Sequence, residues 1–166
     1  MSQLVAHFQR MATYNTRANA ILYEACGRLS EDDLKRRRQA FFSSIHGTLN
    51  HILLGDTIWM TRFEGGKAPS TNLDAILHDD FAALAGARRV MDTRIEAFMT
   101  GLGEAALAGT IAYVNNSGVS CADPAAVLIA HLFNHQTHHR GQVHDMLSQT
   151  TVAPPSLDLH RVLLPV

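Results

Sequence analysis

The sequence predicts an all-α domain, a four-helix bundle with a short β-hairpin before its last long helix. Apolar residues recur three to four positions apart in four long segments, which is the spacing of a helix with one buried face. Short connections rich in glycine, proline and polar residues separate these segments, as in bundles of antiparallel helices. With 166 residues, the chain is long enough to bury one core. We therefore expect a single domain over residues 1–166.

Composition limits the classes of function. Hydrophobic residues make up 46% of the chain, charged residues 17%, and the formal net charge is -1. A nearly neutral chain has no field that attracts nucleic acid or an anionic membrane, so neither is expected as a partner. The start of the sequence lacks the pattern of a secretory signal, and Cys26 and Cys121 form no CxxC pair. We therefore expect a reduced, cytoplasmic protein.

The first long helix is predicted over residues 2–29, where glycine and proline are absent until Gly27. Ser30 is then expected to cap a short helix, because three acidic residues follow it and suit the first turn of a helix. The basic run 35–38 ends this short helix. It fits a solvated helix end better than a phosphate site, since only four residues are involved.

The second long helix is predicted to start from a cap at Ser43 or Ser44 and to continue to about Phe63. Glycine and proline residues at 65–69 break it. A polar connection leads to the third long helix, which is predicted over residues 79–102 from the spacing of its apolar residues.

Residues 109–123 have a different pattern. Thr110–Val114 and Gly118–Ser120 are short β-prone segments on either side of an Asn-Asn-Ser sequence. Two such segments around an asparagine-rich turn predict a β-hairpin.

The fourth long helix is predicted to start at Asp123 and Pro124 and to end near Ser148. Aspartate is a favoured N-cap, and proline is favoured at the first helical position. Two prolines at positions 154 and 155 prevent further helix, and the apolar tail 157–166 is expected to pack back on the bundle.

The fourth helix carries a line of histidines in the stretch HLFNHQTHHRGQV, residues 131–143. His131, His135 and His139 are four residues apart, so they lie on one helical face. Two imidazoles one turn apart are a common pair of ligands for a first-row metal. Spacing alone leaves two pairs open, His131 with His135 or His135 with His139, and a third ligand must come from another helix.

His51 on the second helix is a better candidate for this third ligand than His46. The two residues are roughly 140° apart around the helix, so at most one faces the site. Gly47 and Gly55 flank His51 by one turn each, and a helical glycine costs about 1 kcal/mol relative to alanine. We infer that another group approaches closely there, and that Gly141 allows the same on the fourth helix. The competing interpretation is that these histidines are satisfied by core hydrogen bonds.

Three motifs and the tail resemble the DinB family of four-helix bundles, the DinB/YfiT-like metalloenzymes, over essentially the whole chain. The matching stretches are YNTRAN at 14–19, FFSSIHGTLNHILLGDTIW at 41–59, NHQTHHRGQV at 134–143 and PPSLDL in the tail. The resemblance implies a divalent metal, usually zinc or nickel. Its ligands would be one histidine of the second helix and both ends of an HxxxH on the fourth, here His51, His135 and His139.

The resemblance also implies a function. Some relatives are S-transferases or isomerases that use low-molecular-weight thiols such as bacillithiol, mycothiol or glutathione. We therefore expect a metal-dependent thiol S-transferase, with a small thiol and an electrophile as partners, that forms a homodimer. Three neutral imidazoles leave an open coordination position, as in catalytic zinc sites. The alternatives are a metal-dependent hydrolase and a stress-related metal-binding dimer without turnover. No general base is evident, since Asp56 points away from His51.

Five further residues are expected around the metal. His131 and His138 lie within about 60° of the ligand face, where they can support the ligands or handle protons. A structural role fits His138 somewhat better. Gln142 lies on the same side of the helix, and Asn15 and Asn19 are expected to line the cavity from the first helix.

Overall fold

The computed structural model describes residues 2–69 and 72–165. Four long helices form the bundle, and three short helices and a hairpin connect or follow them, which confirms the predicted fold class. In chain order the elements are α1 (Gln3–Cys26), α2 (Glu31–Lys35), α3 (Ile45–Phe63), α4 (Phe81–Gly101), α5 (Glu104–Leu107), β1 (Thr110–Val114), β2 (Ser120–Pro124), α6 (Ala125–Leu147) and α7 (Leu159–Leu163).

Serine and aspartate side chains begin the first four helices. Ser30 and Ser44 each accept a hydrogen bond from a backbone N–H three residues ahead, as an N-cap does. Of the two serines considered for α3, Ser44 is therefore the cap. Ser43 has a φ of 63°, and this left-handed residue turns the chain sharply into α3.

The core lies between the four long helices. α1 packs against α4 and α6, while α3 packs against α6 and α4. All four contribute fully buried apolar side chains, among them Leu22, Leu49, Ile52, Leu84, Ile95, Ile129 and Leu132. The tail packs on α1 as predicted, with Val162 of α7 against Tyr14 and Ala18. The short helix α7 corrects the expectation that the prolines at 154 and 155 prevent further helix. None of the helices in the described part of the chain is long and apolar enough to cross a membrane.

The hairpin is present, but its second strand was predicted too early. Antiparallel pairing runs from Thr110 with Pro124 to Val114 with Ser120. Residues 115–119 form the turn, in which the Asn115 side chain accepts two backbone N–H groups and Gly118 has a φ of 80°. The positive φ needs glycine, and it places Gly118 in the turn rather than in the strand.

Asp123 is not the N-cap of the last long helix, which corrects the prediction for its start. The residue pairs with Ile111 in the hairpin, and its carboxylate accepts the Tyr113 hydroxyl at 2.9 Å. Pro124 occupies the cap position, where no side chain caps α6. The hairpin therefore continues directly into α6, which fixes β1 and β2 against the start of that helix.

A buried polar network crosses the bundle beneath the histidines. Arg88 of α4 is 2% exposed and lies 2.5 Å from Asp56 of α3 and 2.9 Å from Asp92. Asp56 also accepts a hydrogen bond from Gln136 of α6. Arg140 of α6 donates to Gln136 at 3.1 Å. Apolar periodicity gave no sign of this network, because its partners lie on different helices.

Candidate metal centre

Three histidines converge between α3 and α6. His51 comes from α3, His135 and His139 come from α6, and one ring nitrogen from each lies within 4.8 Å of the others. The Nε2 atoms of His51 and His135 are 3.1 Å apart. His46 is buried elsewhere, beside Asn50, so only one histidine of the pair on α3 faces this cluster.

Hydrogen bonds select the same tautomer in two of these rings. Nδ1 of His51 lies 2.7 Å from the carbonyl oxygen of Leu73, and Nδ1 of His139 lies 2.8 Å from Oε1 of Gln142. Both oxygens can only accept, so each Nδ1 carries the proton. The Nε2 atom of each ring therefore carries no proton and keeps its lone pair. This neutral tautomer is the form of histidine that binds a metal through Nε2.

His135 is positioned by close packing, and the only hydrogen bond of its ring in the described part of the chain is the Nε2 contact with His51. Its Nδ1 is buried without a partner among the described residues. A Cβ atom added to Gly55 would lie 2.7 Å from Cε1 of His135, so glycine at this position lets the ring approach α3. This confirms the close approach inferred from Gly55.

The other two glycines do not have that role. A Cβ atom on Gly47 would meet the carbonyl oxygen of Phe42, so Gly47 makes room for the chain that enters α3. Gly141 is exposed, and an added Cβ would meet nothing within 4 Å. The prediction that Gly141 permits close helix packing was wrong.

The three rings are neutral near pH 7. Burial, with a smaller contribution from the neighbouring histidines, lowers the pKa of His135 to about 3 and that of His139 to about 4. Burial also lowers the pKa of His51. A protonated imidazole has no lone pair for a metal, so these shifts keep the cluster in its binding form.

Phe42 forms one wall of the cluster, and the sequence gave no sign of it. Its ring stacks on His51 with centroids 3.7 Å apart, and its edge contacts His139 at 5.5 Å. Phe42 lies just before the left-handed Ser43, so the sharp turn into α3 places this ring on the histidines.

A cavity of about 540 Å³ opens beside the three histidines. His131, His138 and Gln142 line it, as the sequence predicted, together with Phe41 and Trp59. The His131 ring contacts Trp59 at 5.1 Å and lies 6.0 Å from the His135 ring. His138 accepts a hydrogen bond from the Gln142 amide at 3.1 Å.

The structure corrects the expectation for Asn15 and Asn19. Both side chains are buried and donate to Asp92, at 3.3 and 2.9 Å respectively. Both also accept from Arg140. They therefore extend the buried polar network to α1, so that it joins all four long helices, and they do not line the cavity beside the histidines.

The donor set fits a first-row divalent ion. Three imidazoles are the ligands of open zinc sites, and they also suit nickel, copper and iron. The residues that line the cavity in the described part of the chain include no carboxylate. A metal held here would keep its full positive charge and at least one position for another ligand.

Comparisons with known proteins identify the family and the fold. A model of the DinB family matches residues 1–164. The fold is similar to the crystal structure of a DinB-like protein from Bacillus cereus ATCC 10987, with a TM-score of 0.64 and 19% identity over 85% of this chain and 91% of that one. At that identity the likeness shows the fold alone. No curated protein matches the chain.

Proposed function

Because the chain belongs to the DinB family, we propose that it is a divalent-metal-dependent enzyme that transfers a low-molecular-weight thiol to an electrophile. Its three-histidine cluster is compatible with metal binding. The observation that carries the proposal is the placement of three neutral imidazoles, without a carboxylate, at one end of an open cavity. His51, His135 and His139 would hold the ion, with zinc or nickel as the expected metal.

The absence of a carboxylate among the described lining residues favours a thiol over water as the nucleophile. A bound divalent ion supplies Lewis acidity that deprotonates a coordinated thiol outright. Hydrolysis by a zinc-histidine site commonly uses a nearby carboxylate as general base. Here the titratable neighbours are His131 and His138, which suffice to pass a thiol proton to solvent. The hydrolase alternative therefore has less support from this cavity.

The transfer needs little else from the protein. The thiolate sulfur forms a bond to an electrophilic carbon, the leaving group departs with its electron pair, and the thiol proton goes to solvent. His138 is exposed at the rim, but its Nε2 already receives a hydrogen bond from Gln142, so His131, which also lines the cavity and is exposed, is better placed to relay that proton. Phe41 and Trp59 provide aromatic surface for the apolar body of a substrate.

A conjugation assay tests this proposal. The purified protein, loaded with zinc or nickel, is mixed with 1-chloro-2,4-dinitrobenzene and, in turn, glutathione, cysteine, coenzyme A, bacillithiol and mycothiol. We expect metal-dependent thioether formation with at least one thiol. His51→Ala and His135→Ala should abolish it, whereas His160→Ala, a change at an exposed residue of α7, should not.

The same experiment separates the alternatives. Metal-dependent cleavage of a p-nitrophenyl ester without any thiol would instead support a hydrolase. Stoichiometric metal in elemental analysis with no turnover of either kind would support a metal-binding protein without catalysis, for which a homodimer was also expected. Unchanged metal content in His51→Ala would contradict the assignment of the ligands.

A further inference from the structure

A second cavity adjoins the one beside the histidines. Its volume is about 770 Å³, and it lies between the C-terminal end of α3 and the β-hairpin. The two cavities share four lining residues, which are Arg62, Tyr113, Asn115 and Asn116. Arg62 therefore faces the region where a ligand would extend from one cavity into the other.

Arg62 is buried and held in place on several sides. Its side chain belongs to a residue that is 7% exposed, and its guanidinium lies 4.7 Å from the ring centroid of Trp59 and 4.8 Å from that of Tyr113. Nη2 donates to the Val114 carbonyl at 3.1 Å and to Asn116 Oδ1 at 2.9 Å. The guanidinium is thus fixed between two aromatic rings before any ligand arrives.

The charge of Arg62 has no counterion in the described part of the chain. Arg88 and Arg94 of α4 each pair with a carboxylate, but Arg62 is bonded only to neutral oxygen atoms. Its Nε is buried without a hydrogen-bond partner among the described residues. Lys67 lines the same cavity and adds a second positive charge. A guanidinium that lines both cavities and has no carboxylate partner among the described residues favours the binding of an anion there.

We propose that Arg62 binds a carboxylate of the substrate, so that the protein acts on small organic anions with an apolar or aromatic body. Trp59 links this position to the candidate metal centre, since its ring contacts both the Arg62 guanidinium and the His131 ring. The apolar body would lie along Trp59 and Tyr113. The assignment of the anion as a reactant rests on the proposed transferase function, whereas its binding at Arg62 does not.

Trp59 is the only tryptophan of the chain, so its fluorescence reports directly on ligands at Arg62. Metal-free protein at pH 8, above the ordinary pKa of a histidine, is titrated with benzoate and with its neutral analogue benzamide. We expect benzoate to change the emission and to bind at least about tenfold more tightly than benzamide, because a charge-assisted hydrogen bond forms only with the anion.

Variants identify the residue responsible. Arg62→Gln should remove the preference for benzoate, Arg62→Lys should retain part of it, and Arg94→Gln, which changes an arginine outside both cavities, should leave it intact. Equal affinities for benzoate and benzamide in the unaltered protein would overturn the proposal, whether or not Arg62→Gln folds. A preference that persists in folded Arg62→Gln would overturn it as well.

Kinetics decide which reactant carries the anion. In the conjugation assay, glutathione is compared with its diethyl ester, and 4-chloro-3-nitrobenzoate with 4-chloro-3-nitrobenzamide. If a reactant binds at Arg62, its carboxylate should lower KM at least about tenfold relative to the neutral analogue. This difference in KM should disappear in Arg62→Gln. Arg62-dependent benzoate binding without conjugation would refute the transferase and keep this site. Conjugation that ignores charge in both reactants would refute the assignment of a reactant's carboxylate to Arg62 and keep the transferase.

Discussion

The side-chain amide of Gln142 bridges His139 and His138. Its Oε1 accepts from Nδ1 of His139 at 2.8 Å, and its Nε2 donates to Nε2 of His138 at 3.1 Å. Gln142, an uncharged residue one turn further along α6, therefore orients the imidazole of the proposed ligand His139 through the nitrogen that faces away from the cluster. Outer partners of this kind fix both the tautomer and the direction of a ligating imidazole.

Gln142→Leu is expected to weaken zinc binding by about 10- to 100-fold, because His139 loses the acceptor that holds its proton on Nδ1. Competition with a chromophoric chelator measures the change in affinity. Gln149→Leu, an exposed change after the end of α6, serves as the control. Equal zinc affinities for the two variants would show that Gln142 does not orient the ligand.

Gly55→Ala is expected to displace His135 and to reduce zinc affinity. The added Cβ would lie 2.7 Å from Cε1 of His135, and the ring can yield only by turning out of the cluster. Gly141→Ala is the matched control on the opposite helix, where an added Cβ meets nothing within 4 Å. We expect Gly141→Ala to raise the free energy of unfolding by about 0.5–1 kcal/mol, through helix propensity, without changing metal affinity. Zinc titration and urea denaturation of both variants measure these effects.

Asp56→Ala is expected to lower the free energy of unfolding by about 3–5 kcal/mol, since it leaves the buried Arg88 without one of its two carboxylates. The comparison is Glu64→Ala, which removes the partner of the half-exposed Arg94. That change should cost at most about 1 kcal/mol, because water screens and replaces an exposed ion pair. Urea denaturation of the two variants measures both costs, and similar losses would contradict the assignment of Asp56 as a central member of the network.

The metal-free protein should lose stability as the pH falls from about 6.5, the pKa of an unperturbed histidine. In the folded protein His135 and His139 have pKa values of about 3 and about 4. Between these values and about pH 6.5, the two histidines bind protons in the unfolded chain but not in the folded one. Their contribution to stability is thus fully present above pH 6.5 and is lost on acidification.

The variant His135→Asn isolates this effect from other titrating groups. Its free energy of unfolding should depend less steeply on pH than that of the unaltered protein, by up to about 1.4 kcal/mol per pH unit between pH 4 and 6.5. His160→Asn, at an exposed position, should follow the unaltered protein. Urea denaturation across this pH range gives the slopes, and identical slopes for His135→Asn and the unaltered protein would contradict the pKa shift.

Local patterns predicted the helices and the histidine cluster well. Apolar spacing and capping serines act within a few residues, so the sequence correctly placed the start of α3 near Ser44. The helical spacing also predicted correctly that His51, rather than His46, points toward the histidines of α6. Gly55 correctly marked a close approach of His135, but Gly141, which is also inside a helix, has open space around it, so an interior glycine is an unreliable sign of close packing. The family resemblance then chose between the two possible pairs on α6, and the metal itself stays a prediction.

Contacts between distant segments were not predictable in the same way. Asn15 and Asn19 have the spacing of cavity-lining residues, but Asp92 and Arg140 attract them to another part of the bundle, and no periodicity reveals which partner a buried amide will find. Phe42 reaches the histidines only because Ser43 adopts a left-handed conformation. Asp123 looked like an N-cap because local rules ignore Tyr113, whose hydroxyl binds its carboxylate from the neighbouring strand.

The hydrogen bond from His51 to the Leu73 carbonyl has a consequence for how such a protein can change over time. A side-chain partner for the ring could be lost by one substitution, but every residue type supplies a backbone carbonyl. The side chain at position 73 is therefore free to vary as long as the backbone there keeps its path past His51. Insertions or deletions there would displace the carbonyl that orients the His51 ring, whereas most single replacements would leave this hydrogen bond unchanged.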